Sequence, residues 1–212
     1  MRAQVVYIAL AMTLAEPALY SPYPIDPMPD WVTALRTAAA PVWIFAYGSL
    51  MWNPEMRFDE RLPARIHGYH RAFCLYSPEY RGTREKPGLV LGLDRGGSCR
   101  GIAYRLAQAS LATEIDRIWT REMTGFVYHM TPLGISTARG NIGGYTFTVR
   151  RDSRDYAGRL PLDVAARIIA ASCGDRGRNS DYLASTARHL EELGIADSAL
   201  HRIERLVNAL GE

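Results

Sequence analysis

The order of hydrophobic and polar positions divides this chain into a strand-rich middle and a helix-rich end. The first clear element is an apolar run that begins at Trp43 and ends in Tyr47–Leu50, which is typical of a buried strand leading into a tight turn. Strand-like patterns then continue over residues 64–77, 88–93, 101–106, 126–138 and 143–150. The middle of the chain is therefore predicted to form a sheet.

Glycine-bearing segments predict how these strands are connected. Asp94–Ser98 has the composition of a turn, so it predicts a hairpin between the strands at 88–93 and 101–106. Gly68 lies inside the long strand at 64–77 and indicates a bend or a bulge there.

Helical spacing appears once within this sheet region and again after it. Ser110 is predicted to cap a helix with Ile115, Ile118 and Trp119 on one apolar face. Three further helices are predicted after Leu160, starting at Pro161, spanning 180–193 with a cap at Gly194, and spanning 197–210. The pattern predicts an α+β fold in which a small β-barrel-like core is followed by a C-terminal helical layer.

The first 41 residues differ in composition from the rest of the chain and are predicted to be a separate arm. Five prolines lie between residues 17 and 29, which favours an extended segment, and a short helix with Asp30 as its N-cap is predicted over 30–39. The apolar run Val5–Met12 is open to three interpretations: a short secretion signal, a leader that packs on the domain, or an upstream extension before a start at Met12. The catalytic domain is predicted to span 42–212.

Composition excludes several classes of function. The chain has 212 residues, 48% of them hydrophobic, and a net charge of +3, which fits an ordinary globular domain. No basic stripe indicates nucleic-acid binding, and no apolar stretch reaches the length of a membrane span. Cys74, Cys99 and Cys173 are widely spaced, which indicates free thiols and a cytoplasmic protein without a zinc site or disulfide framework.

The turn at Tyr47–Leu50 is the first candidate for chemistry. Main-chain N–H groups in such a turn bind a carboxylate or a developing oxyanion without a charged side chain. Ser49 has little support as a nucleophile, because no glycine stands two residues after it to make a nucleophile elbow.

Three other residues stand out, each with a structural alternative. Glu122 lies at the C-terminal end of a predicted helix beside Trp119 and Met123, where burial would raise its pKa, unless it is a solvated partner of Arg121. Arg81 lies on a polar loop, Arg81–Val90, that is either functional or a plain hairpin loop. Tyr156 either packs on the domain or forms a wall of a small pocket.

Six segments in register give these candidates a common interpretation. They are Val42–Pro54, Arg81–Leu93, Cys99–Tyr104, Trp119–Gly125, Tyr156–Pro161 and Asn179–Leu193. In these segments the chain resembles the ChaC family of glutathione-specific γ-glutamylcyclotransferases, most closely its bacterial branch. Phe126 departs from the family pattern, in which a tyrosine usually follows the glycine.

The resemblance implies a fold and a reaction. The fold is expected to be a γ-glutamylcyclotransferase-like small mixed β-barrel, and the reaction is cleavage of glutathione to 5-oxoproline and cysteinylglycine, without cofactor or metal. Glu122 matches the family's catalytic acid/base, and Tyr47, Gly48, Ser49 and Leu50 match the loop that holds the glutamyl group. Arg81 and Tyr156 are weaker candidates for substrate binding.

Two alternatives remain open at this point. The turn would grip only the glutamyl half of a substrate, so the enzyme could act on other γ-glutamyl amino acids or amines. The chain could also be a non-catalytic module that binds a γ-glutamyl ligand. Oligomeric state is not readable from the sequence.

Overall fold

The computed structural model describes residues 24–211, so the leader at Val5–Met12 and most of the proline-rich arm lie outside the described residues. The strands are β1 (Trp43–Ala46), β2 (Phe58–Ser77), β3 (Gly88–Leu106), β4 (Tyr128–Thr137), β5 (Gly140–Val149) and the short pair β6 (Cys173–Gly174) and β7 (Gly177–Arg178). The helices are α1 (Asp30–Leu35), α2 (Leu111–Glu122), α3 (Leu162–Ala171), α4 (Asn179–Glu192) and α5 (Ser198–Ala209). A 3-10 turn, Ser49–Met51, follows β1.

Strands β1 to β5 close into a barrel in the order β1-β3-β2-β4-β5, which confirms the predicted α+β barrel with helices. The barrel is closed by a parallel pairing of β1 with β5 at Ile44 and Tyr145, and its other neighbours are antiparallel. Strand β1 is buried on both faces, since Trp43 and Phe45 pack in one hydrophobic cluster while Ile44 and Ala46 pack in another. This double burial explains why its sequence is continuously apolar.

The predicted hairpin at Asp94–Ser98 is wrong, because β3 runs through this segment without reversing. It pairs with β2 along almost its whole length, and the register shifts opposite the interval His67–Tyr69. Gly68, Gly96 and Gly97 have φ values of +86°, +102° and +70°, so the glycines form a bulge in a long two-stranded ribbon. The bulge predicted at Gly68 is confirmed.

The C-terminal helical layer is confirmed, with helix ends close to those predicted. Gly194 ends α4 with φ +66°, as expected for a left-handed cap, and the carboxylate of Asp197 accepts from the N–H of Leu200 at the start of α5. The predicted cap at Asp30 is wrong: Asp30 is the first helical residue and Pro29 precedes it, because proline suits the extended N-cap conformation. Helix α1 ends at Leu35 rather than at residue 39.

One buried side chain attaches the helical layer to the barrel. Asn179, at the start of α4, is fully buried; its Oδ1 accepts from the N–H of Leu89 at 2.6 Å, and its Nδ2 donates to the carbonyl of Leu89 at 2.7 Å. These two hydrogen bonds satisfy the main-chain groups of Leu89 as a neighbouring strand would, and they fix the position of the first turn of α4. Within residues 24–211, no helix is long and apolar enough to cross a membrane.

Candidate active site

The end of β1 and the turn after it form one side of the candidate site. The 3-10 turn is held by bonds from the N–H of Met51 to the carbonyl of Gly48 at 2.9 Å and from that of Asn53 to Ser49 at 2.8 Å. The N–H groups of Ser49 and Leu50 open this turn and therefore have no acceptor inside it. The carbonyl of Tyr47 accepts from the buried guanidinium of Arg71, which anchors the turn to β2.

Glu122 lies opposite this turn, at the last residue of α2. The helix packs on the barrel through a buried apolar stripe that includes Ile115, Ile118 and Trp119. The Glu122 side chain is 15% exposed. Burial raises the pKa of its carboxyl group above the usual range, while Arg121 opposes this effect and the charge of Glu55 adds to it.

The turn and Glu122 enclose a small inner cavity of about 50 Å³. Its lining consists of turn residues, three tyrosines, Leu91 and the carboxylate: Tyr47, Gly48, Ser49, Leu50, Leu91, Glu122, Tyr128 and Tyr182. A Cβ on Gly48 would lie 4.0 Å from Leu91 Cδ1, so glycine leaves space beside a residue that lines the same cavity. The predicted loop and the predicted acid/base are thus brought together.

Burial keeps the tyrosine hydroxyls around this cavity protonated. It raises the pKa of Tyr47, Tyr128 and Tyr182 above the ordinary value, and the negative charge of Glu122 raises each of them further. The Tyr128 hydroxyl donates to the carbonyl of Leu91 at 2.8 Å. The inner cavity therefore combines one basic carboxylate with neutral hydroxyl groups.

A larger outer cavity of about 330 Å³ shares three of these wall residues, Ser49, Glu122 and Tyr128. It extends away from them to the end of β2, to the segment after it and to the turn between β6 and β7; these outer walls include Tyr76, Glu79, Tyr80, Asp155 and Arg176. Glu122 therefore stands where a small cavity meets a larger one.

Arg121 connects the two sides of the site, a role that the sequence did not indicate. Its Nε donates to Glu122 Oε1 at 3.0 Å, its Nη2 to Ser49 Oγ at 3.0 Å and its Nη1 to the carbonyl of Asn53 at 2.6 Å. It also pairs with Glu55 at 3.2 Å. The neighbouring Arg-Glu pair was the available signal, but sequence alone could only interpret it as mutual neutralisation.

Arg81 and Tyr156 lie outside both cavities. Arg81 Nη1 donates to the carbonyl of Arg176 at 2.6 Å, and the guanidinium lies 5.1 Å from the centre of the Tyr182 ring, which places it behind that wall residue. The Tyr156 hydroxyl donates to Asp94 Oδ2 at 2.8 Å. Neither residue is on the lining of the cavities that Glu122 joins.

Tyr128 and Tyr182 were missed because nothing in their local sequence distinguishes them from the other tyrosines of the chain. Tyr182 comes one turn after Asn179 on α4, so its position depends on the pairing of Asn179 with β3. A contact between segments so far apart in the chain has no local signature.

Comparisons with known proteins agree with this fold. The family model described as ChaC-like protein matches residues 42–210, so the arm before α1 lies outside the match. A glutathione-specific γ-glutamylcyclotransferase of Escherichia coli (strain K12) is 38% identical over 169 residues, covering 79% of this chain and 73% of that protein. One of Schizosaccharomyces pombe is 31% identical over 190 residues, covering 77% of this chain and 89% of that protein.

A solved structure shows the same fold. The crystal structure of a glutathione-specific γ-glutamylcyclotransferase from yeast superposes with a TM-score of 0.72 at 21% sequence identity, covering 82% of this chain and all of that one. Together with the match over residues 42–210, these observations establish the family. The chain belongs to the ChaC family.

Proposed function

We propose that this protein is a γ-glutamylcyclotransferase that cleaves glutathione to 5-oxoproline and cysteinylglycine. The observation that carries the proposal is the position of Glu122, a buried carboxylate at the junction of the inner and outer cavities and across from the turn at Tyr47–Leu50. Relatives that are 38% and 31% identical to this chain carry the same activity in their names.

The reaction is an intramolecular aminolysis. The γ-glutamyl group occupies the inner cavity, where enclosure holds its α-amine close to its γ-carbonyl and removes rotational freedom before the reaction. The amine attacks that carbonyl, a five-membered ring closes, and the bond to the cysteinyl nitrogen breaks. The N–H groups of Ser49 and Leu50 are the proposed anchors for the glutamyl group and the developing oxyanion.

Glu122 is the proposed proton carrier in these reaction steps. A free α-ammonium group has a pKa of about 8, and an ordinary glutamate with a pKa of about 4.3 is a poor base for it. Because burial raises the pKa of Glu122, the carboxylate is a better base, and the protonated form is then able to return the proton to the departing nitrogen. The Ser49 hydroxyl accepts from Arg121, which agrees with a binding role for this residue rather than a nucleophilic one.

The outer cavity is the proposed location of the cysteinylglycine half. Arg176 lines it, with its guanidinium 4.3 Å from the centre of the Tyr80 ring. Among residues 24–211, no carboxylate lies within ion-pair distance of Arg176. We therefore assign Arg176 to the glycine carboxylate of glutathione. Arg81 and Tyr156 stay sequence-based predictions, and Arg176 is better placed than Arg81 for this carboxylate.

The mass spectrum of the products tests the proposal. Incubation of the protein with glutathione is expected to yield 5-oxoproline and cysteinylglycine in equal amounts. A panel with γ-glutamyl-alanine and γ-glutamyl-ε-lysine tests the alternative leaving groups, since both lack the glycine carboxylate and are expected to give less product. If the protein turned over the panel compounds but not glutathione, the proposed substrate would be wrong. If it bound these compounds without forming any product, the protein would be a non-catalytic module.

We also propose a boundary and a location. The catalytic domain is proposed to begin at residue 42, after the proline-rich arm. A cytoplasmic location is supported by the free thiols of Cys74, Cys99 and Cys173 and by a substrate that is concentrated in reducing compartments. Fractionation of cells that express the protein tests the location.

A further inference from the structure

The chain takes an unfavourable conformation directly after Glu122. Helix α2 ends there, and three and four residues later Gly125 and Phe126 have φ values of +81° and +56°. Glycine adopts this left-handed region freely, but phenylalanine rarely does so, and such a residue persists only where its surroundings hold it. The turn that ends the helix of the proposed base therefore depends on contacts from outside the turn.

The N-terminal arm supplies main-chain contacts to this turn. The N–H of Asp26 donates to the carbonyl of Met123 at 2.9 Å, and the N–H of Gly125 donates to the carbonyl of Pro24 at 3.2 Å. Ile25 pairs with Thr124 between these bonds as an isolated antiparallel bridge. The arm segment, Pro24–Asp26, thus lies beside the turn as a short strand.

Side chains reinforce the same contact from both sides. The indole N–H of Trp119, on α2, donates to the carbonyl of Asp26 at 2.8 Å. Asp26 Oδ2 lies 3.3 Å from Arg150 Nη1, and the Arg150 guanidinium lies 5.9 Å from the centre of the Phe126 ring. Asp26 is therefore connected to the helix before Glu122 and to the left-handed residue after it.

We propose that the arm segment Pro24–Asp26 is a positioning element for Glu122, which holds the end of α2 so that the carboxylate stays at the junction of the two cavities. This inference rests on the proposed function, in which Glu122 is the proton carrier. Precise placement matters because a small displacement of a reacting group costs far more in rate than in binding. The arm itself lines neither cavity and acts through the turn that it holds, whose residues Thr124 and Gly125 line the outer cavity beside Glu122, so its main effect is on turnover.

Replacement of Asp26 by proline removes the N–H that binds Met123. Pro27 already restricts residue 26 to extended conformations, which proline adopts readily, so Asp26→Pro is compatible with the local backbone. Asp26→Ala keeps the N–H but loses the contact with Arg150, so it separates the side chain from the main chain. Asp30→Pro is the matched control, because residue 30 is the first residue of α1 and its N–H needs no acceptor.

Asp26→Pro is expected to lower kcat for glutathione about 10-fold with a smaller change in KM, since the base is displaced while Thr124 and Gly125 form only part of the outer-cavity lining. Asp26→Ala is expected to have a smaller effect, and Asp30→Pro none. In Asp26→Pro the acidic limb of the rate profile is expected to move to lower pH, because a looser turn admits water and lowers the pKa of Glu122 towards its ordinary value. A role in stability alone would not move this limb.

Two results would overturn the proposal. One is an Asp26→Pro variant with the kcat and pH profile of the wild type; the other is a loss of kcat that follows the melting temperature in all three variants. Hydrogen exchange of the peptide 119–127 supplies a readout independent of turnover and is expected to be faster in Asp26→Pro than in Asp30→Pro. If the wild type does not turn over glutathione, the proposed function fails, and equal exchange in the two variants would separately refute the arm contact.

Discussion

Helix α2 carries two glutamates, Glu114 fully buried and Glu122 largely buried, that differ in almost everything except residue type. Glu114 lies in the first turn and is 1% exposed; its carboxylate accepts from the N–H of Arg57 at 3.0 Å, from the Ser110 hydroxyl at 2.9 Å and from Arg117 at 2.9 Å. Glu122 lies in the last turn, and within residues 24–211 its carboxylate accepts from one side chain, that of Arg121. The helix dipole favours a negative charge at the position of Glu114 and disfavours one at that of Glu122.

This difference shows how one helix separates structure from chemistry. The Glu114 carboxylate is satisfied by three donors and joins α2 to the chain before β2, so its charge is used for stability. The Glu122 carboxylate is buried with fewer partners, so part of its basicity remains available for reaction. The same side chain is inert at one end of the helix and reactive at the other.

The largest expected effect is the loss of turnover in Glu122→Gln. Glutamine has nearly the same shape but cannot accept the ammonium proton, so kcat is expected to fall about 1,000-fold while glutathione still binds. The matched variant Glu114→Gln is expected to keep kcat within about 3-fold when equal amounts of folded protein are compared. Release of 5-oxoproline measures both, and equal losses in the two variants would remove the distinction between the glutamates.

Stability is expected to change in opposite directions at the two positions. Glu114→Ala leaves buried donors without an acceptor, which is expected to lower the free energy of unfolding by about 2–3 kcal/mol. Burial raises the pKa of Glu122 in the folded protein, so folding favours its protonated form. The stability that this preference contributes is fully present below the pKa of the unfolded state and is lost as the pH rises through the pKa of the folded state. At neutral pH the charged carboxylate is therefore a net cost, so Glu122→Gln is expected to melt higher than the wild type.

Thermal melting at several pH values measures this contrast. The difference in melting temperature between Glu122→Gln and the wild type is expected to shrink as the pH falls towards the acidic range, because Glu122 of the wild type is then also neutral. A variant that melts below the wild type at neutral pH would show that the Arg121 contact outweighs the burial of the charge.

Substrate choice is expected to depend on Arg176 and not on the neighbouring Arg178, which also is exposed on the β6–β7 pair. Without Arg176, the glycine carboxylate would meet the acidic side chains Glu79 and Asp155 on the same wall. Arg176→Gln is expected to lower kcat/KM for glutathione about 10-fold, while γ-glutamylcysteine, which lacks the glycine, is turned over as before. An equal loss for both substrates, or the same loss in Arg178→Gln, would contradict the assignment.

The smallest expected effect is a shift of the pH profile in Glu55→Gln. The charge of Glu55 raises the pKa of Glu122, and Glu55 also competes for Arg121 at 3.2 Å. Its removal is therefore expected to lower the pKa of Glu122 and to move the acidic limb of kcat/KM to lower pH. Glu85→Gln, on an exposed loop, is the control for loss of a negative charge; a limb that moves to higher pH in Glu55→Gln would contradict the electrostatic explanation.

The parts of this molecule that were predictable from sequence are those with local causes. The apolar run of β1, the turn after it and the stripe of α2 that ends at Glu122 each follow from residues that are near neighbours in the chain. The segment at Asp94–Ser98 was not predictable, because glycines with positive φ serve a hairpin turn or a bulge equally well. Only the pairing of β3 with β2 decides between them.

The rest of the site depends on contacts between distant segments. Arg121 reaches Ser49 across 72 positions of the chain, and Tyr182 reaches the inner cavity through the attachment of α4 to β3. The contact of Asp26 with α2 spans 93 positions. Such contacts leave no periodicity or spacing that a single sequence could reveal.

The central claim is that Glu122, made more basic by burial, is the group whose ionisation controls turnover. Titration of ¹³C-labelled glutamate carboxyl groups, with Glu122 assigned as the resonance missing in Glu122→Gln, measures its pKa in the free protein, and the acidic limb of kcat/KM reports the same group. We predict that the two midpoints coincide above the ordinary glutamate value. A resonance that titrates at the ordinary value, or a limb at a different pH, would contradict the claim.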